Sequence, residues 1–199
     1  MNTVRAVVSA NVFLFATMGL GLASPIVQAA DQGTQVTWSR IAGIVVPDSL
    51  VGRASGGDEC NVGVDCIAGT PAPWTATWGT AKVNLDEGVL SFTVKGLVLA
   101  GDPSFANLGT RGPVRKVKGT LVCNDTEPGI PEFVDSDAVV LSVRGNATFS
   151  GPVSLPPSCT SEPGDIVFLI RIAKAEPSFL VDRWNAFGAV RVITRSSVN

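Results

Sequence analysis

The sequence predicts an all-β fold: a single-domain antiparallel β-sandwich, Ig-like or jelly-roll-like, with eight to nine short strands. Three observations carry this expectation. Apolar and polar residues alternate with a period of two in one segment after another, as in strands with one buried face. Turns rich in Gly, Pro and Asp separate those segments, with 21 Gly and 13 Pro among 199 residues. No stretch carries the 3.6-residue apolar stripe of an amphipathic helix.

In chain order, the first strands fall at 34–38 and 41–46, and another at 75–80. Residues 81–85 bring Val83 and Leu85 to one face. Residues 89–95 set Leu90, Phe92 and Val94 against Ser91, Thr93 and Lys95. Between them Asp86-Glu87-Gly88 forms a three-residue hairpin loop, with Gly suited to a left-handed position. Val117, Gly119, Leu121 and Cys123 make a further inward row, opposed by Lys116, Lys118 and Thr120. Residues 145–155 repeat the pattern through Ala147, Phe149 and Val153, with Gly151 and Pro152 marking an edge or a bulge. The near-continuous apolar run 166–172 fits a central strand covered on both sides, and 187–193 closes the sheet. Residues 174–185 hold at most one helical turn, because Pro177 interrupts them. The irregular stretches 47–73 and 100–113 are the loops where binding is expected.

Residues 1–29 read as a signal peptide. Arg5 is the only charged side chain before Asp31, residues 6–23 are largely apolar, and Val27-Gln28-Ala29 supplies the short residues of a cleavage site. An uncleaved anchor is the alternative; Gly19, Gly21 and Pro25 favour cleavage. Residues 30–199 then form a secreted or periplasmic domain with no stable membrane anchor. In an oxidising compartment the four cysteines make two disulfides, Cys60 with Cys66 and Cys123 with Cys159. A structural zinc site would want closer paired spacings.

The chain has no His, which excludes imidazole general bases, His-based metal sites and Ser-His-Asp arrangements. Its net charge of −2 gives nucleic acid no electrostatic reason to bind. No cofactor is expected. Paired carboxylates remain as catalytic equipment for polysaccharide hydrolysis: Asp58/Glu59, Asp86/Glu87 and Asp135/Asp137. Adjacency in sequence is not convergence across a cleft, and Asp86 and Glu87 already have a turn to explain them. Calcium would need the oxygens of Asp58, Glu59 and Asp65, or of Asp135 and Asp137, and neither group shows the calcium-loop pattern.

Two groups point to binding. Trp74 and Trp78, four residues apart, share one face of a strand and could stack on sugar, although core packing serves the same residues. Arg111, Arg115, Lys116 and Lys118 form the one strong basic cluster, suited to an anionic glycan or phosphate, or to guarding an edge strand. The expected function is an exported, disulfide-stabilised binding or structural module without catalysis, its ligand surface drawn from Trp74, Trp78, Lys116 and Lys118. Its partner would be a carbohydrate or another extracellular protein. The alternatives are a carboxylate-dependent enzyme acting on polysaccharide, and a surface-assembly or adhesive subunit that lends a sheet edge to a neighbour.

Overall fold

Strand β1 (Thr34–Gly43) merges the two strands expected at 34–38 and 41–46. The computed structural model describes residues 33–52, 66–101, 107–124 and 131–195. Within β1, Val36 and Trp38 are buried, Ser39 and Arg40 are both exposed, and Ile41 is buried again. The alternation therefore slips by one residue where the pattern suggested a break. The antiparallel ladder to the last strand, Trp184–Arg195, runs straight through, pairing Trp38 with Arg191 and Arg40 with Ala189. Val190, whose carbonyl accepts a hydrogen bond from the Ser39 hydroxyl, has φ 54°, a conformation β-branched residues seldom adopt.

Two short antiparallel pairs follow that the alternation pattern does not reveal. β2 (Leu50–Gly52) pairs with β3 (Cys66–Ala68) inside the stretch expected to be loop. β4 (Trp74–Thr75) pairs with a two-residue strand at Val98–Leu99. Between them lies the clearest hairpin of the sequence, β5 (Trp78–Asn84) and β6 (Val89–Lys95), joined from Trp78↔Lys95 to Asn84↔Val89. Its turn is locally encoded. The Asn84 Oδ1 accepts from the N–H groups of Asp86 and Glu87 at 3.0 and 3.1 Å, and Gly88 takes φ 63° to re-enter the ladder. With Val98–Leu99 as β7, the remaining strands are β8 (Val114–Cys123), β9 (Glu132–Asp135), β10 (Val139–Val140), β11 (Ala147–Pro152), β12 (Val167–Ala175) and β13 (Trp184–Arg195).

The main sheet runs β10-β8-β12-β13-β1-β5-β6-β11, with β9 beside β10 on the same side of β8. The last strand thus sits inside the sheet, between β12 and β1; it does not close it. The path curls until its ends, β10 and β11, come together. Inward rows meet across the interior: Phe168 of β12 lies 5.7 Å from Phe92 of β6, centroid to centroid, and 5.5 Å from Trp38 of β1. β12 is buried on both faces over Phe168–Ile172, as its continuous apolar run implies. Among the described residues, helix is confined to α1 (Pro157–Ser161) and two 3-10 turns, one of them at Ser178–Leu180 after Pro177.

Cys123, at the end of β8, is bonded to Cys159 in α1, with α-carbons 5.0 Å apart and both side chains buried. Cys66 is also disulfide-bonded. Cys60, Asp58, Glu59, Asp65 and the segment 1–29 lie outside the described residues.

Candidate functional site

The outward faces of β6, β11, the first half of β1 and most of β5 form one continuous polar surface, because these stretches alternate beside their neighbours. Register sets its side chains in rows. Thr80, Thr93 and Thr148 lie side by side across three strands. Thr37, Lys82, Ser91 and Ser150 make the next row across four. Adjacent strands stand roughly 4.8 Å apart and successive outward residues roughly 6.7 Å apart, so the hydroxyls make a regular grid. A shallow depression of about 300 Å³ follows it over Thr37, Thr80, Lys82, Ser91 and Thr93. None of the four strands contains an Asp or Glu.

Trp78 stands at the end of this grid, opposite Lys95. It is 48% exposed, and the Lys95 ammonium lies 5.5 Å from the centre of its ring. Trp74 is elsewhere. It belongs to β4, is 3% exposed, and its carbonyl oxygen lies so close to Gly43 that a Cβ there would come within 2.2 Å of it. The two tryptophans therefore do not share a strand face, and only Trp78 offers ring surface to a ligand. Trp38 and Trp184 are core residues.

The basic cluster divides. Lys118 Nζ donates to Asp135 Oδ2 at 2.7 Å and to Asp182 Oδ1 at 2.8 Å. Arg171, nearly buried, approaches the same two carboxylates at 3.2 and 3.3 Å and donates from Nε to the Asp182 carbonyl. The Thr120 hydroxyl adds a 2.6 Å bond to Asp135. Burial pushes the Asp135 carboxyl up, but the hydrogen bonds from Lys118 and Thr120 and the charges of Arg171 and Lys118 outweigh it. The net result is a value below the usual carboxylate range. That carboxylate stays ionised, the reverse of what a general acid needs. The cluster ties β8, β9, β12 and the segment before β13 together. Lys116, in contrast, is exposed.

The other acidic candidates among the described residues do not converge. Asp86 accepts from the Thr34 N–H at 2.5 Å within the hairpin region, and Asp137 is exposed beside the Lys118 cluster. No group of three Cys, Asp or Glu side chains with metal-binding geometry occurs among the described residues. Asp182 and Arg171 were not legible as partners of Lys118, since 64 residues separate Lys118 from Asp182. β8 is paired on both sides, to β12 and to β9 and β10, so Lys116 and Lys118 do not guard a sheet edge. No family model matches the chain, and neither a curated protein nor a solved structure matches it.

Proposed function

We propose that this chain is an exported, non-catalytic carbohydrate-binding module built on a sandwich-like curled sheet, its ligand surface the outward face of β1, β5, β6 and β11. The observation that carries the reading is the exposed Trp78 ring continuous with a grid of threonine and serine hydroxyls. A hydroxyl donates and accepts, as does each hydroxyl of a sugar, so such a grid matches a polyol without charge. An indole adds flat apolar area on which a sugar ring stacks, with one polar tip. The Cys123–Cys159 bridge supports an oxidising compartment and hence export of residues 30–199. A second bridge, Cys60–Cys66, is supported by the bonded state of Cys66. Screening the exported domain on neutral and charged glycans tests the reading. A saturable ligand is expected, with Trp78→Ala weakening it about tenfold; absence of any glycan ligand, or a Trp78→Ala variant that binds normally, overturns it.

A second reading, assembly through a sheet edge, is favoured by β13. β12 pairs with it only as far as Phe187, so beyond that residue its β12-side edge carries no strand among the described residues. Val190 and Val192 are exposed there. Concentration-dependent self-association abolished by Val192→Lys would support this reading over the first.

A further inference from the structure

We propose that the open depression over the start of β8 and the end of β12, lined by Arg111, Arg115, Lys116 and Lys174, binds a soluble polyanionic chain through its phosphate, sulfate or carboxylate groups. This site is separate from the Trp78 face and does not depend on the carbohydrate reading.

The depression is open, has a volume of about 390 Å³ and is completed by Val140 and Glu176. Four cations face one carboxylate there, in a chain whose net charge is −2, so the patch does not reflect a generally basic composition. Lys116 and Lys174 are cross-strand partners at an irregularity in the β8–β12 ladder. Like charges placed opposite each other destabilise a sheet, and no carboxylate lies within ion-pairing distance of either lysine among the described residues. The neighbouring cations are treated differently: Lys118 and Arg171 are neutralised by Asp135 and Asp182, and Arg183 by Asp48. Nor does edge protection account for Lys116, because β8 is an interior strand.

The two arginines are held in place. Arg111 Nη1 donates to the Val114 carbonyl at 2.6 Å, and Arg115 Nη1 to the Gly112 carbonyl at 3.3 Å. Each guanidinium spends one of its five donors on this anchor and keeps the rest of its fork for a planar or tetrahedral oxyanion. Fixing the guanidinium beforehand reduces the entropy lost on binding. Four cations against one carboxylate leave several positive charges to be matched together, which favours a chain of anionic groups over a single small ion. Glu176, alone among the lining residues, repels such a ligand and weakens it.

The test titrates the exported domain at low salt with a sulfated polysaccharide, polyphosphate and a polyuronate, with neutral dextran as control and anionic phospholipid vesicles as a separate arm. At least one soluble polyanion should bind saturably and lose affinity as salt rises; which one binds identifies the preferred oxyanion. Lys116→Glu combined with Lys174→Glu should weaken that binding about tenfold or more, and Glu176→Gln should strengthen it about threefold. All three side chains are exposed, and melting curves of the variants confirm that the fold is kept. The proposal is overturned by failure of every soluble polyanion to bind, by binding confined to vesicles, or by binding that the lysine substitutions leave intact.

Discussion

Phe92 of β6 and Phe168 of β12 meet across the interior with ring centroids 5.7 Å apart, although β13, β1 and β5 lie between their strands along the sheet. Gly119 of β8 makes the meeting possible: a Cβ there would sit 2.9 Å from the Phe92 ring and 3.0 Å from that of Phe168. Three inward positions thus pack together across the curled sheet. Gly119→Ala should overpack the core and cost about 1–3 kcal/mol. Phe168→Ala should cost about 3–5 kcal/mol through lost burial and a cavity. Chemical denaturation of the double variant should show less than the sum, because the smaller residue at 168 makes room for the new methyl. Strict additivity would mean that the two positions do not share the packing seen here.

Gly119 also marks how far the sequence could be read. The inward row Val117, Gly119, Leu121 and Cys123 follows from alternation alone, as does the β5–β6 hairpin, whose turn is built from Asn84 and Gly88 within the loop itself. Local chemistry decides such elements, so local sequence discloses them. β2–β3 and β4–β7 escape for the opposite reason: pairs of two or three residues have no period to read and exist because the chain returns from a distance. The site divides in the same way. Trp74 and Trp78 look equivalent in sequence, and only the third dimension buries one and exposes the other. The difference between Lys116 and Lys118 depends on Asp182, a residue that no motif connects to β8.

The Cys123–Cys159 bridge closes a sequence separation of 36 residues and anchors α1, whose buried contribution is Cys159 itself. Chain-entropy arithmetic gives about 4 kcal/mol for a loop of this size, against about 2 for a bridge between Cys60 and Cys66. Cys123→Ser or Cys159→Ser should therefore lower the melting temperature more than Cys60→Ser or Cys66→Ser. Non-reducing peptide mapping of the protein checks the pairing, and a Cys60–Cys123 or Cys66–Cys159 peptide would refute it. Greater damage from losing the short bridge would assign the segment before β3 a structural role that its length does not suggest.

Asp135 links the charge cluster to acid stability. Its folded value lies below the ordinary 3.8, because Lys118, Thr120 and Arg171 stabilise the carboxylate by more than burial disfavours it. A carboxyl whose folded value is lowered stabilises the fold above its unfolded value, and that contribution disappears as pH falls through the folded value. The stabilisation from Asp135 should thus be complete above about pH 5 and vanish below about pH 4 toward strongly acidic solution. The side chain is 37% exposed, so solvent screens part of the effect. Asp135→Asn should cost roughly 1–2 kcal/mol at neutral pH, since Arg171 and Lys118 keep Asp182 as a partner. Measured from pH 7 down to pH 2, the stability curve of the variant should be flatter than that of the parent below about pH 4, and the two should converge at the acid end. Parallel curves across that window would show that the acid limb arises from other carboxylates, and that Asp135 titrates alike in the folded and unfolded chain.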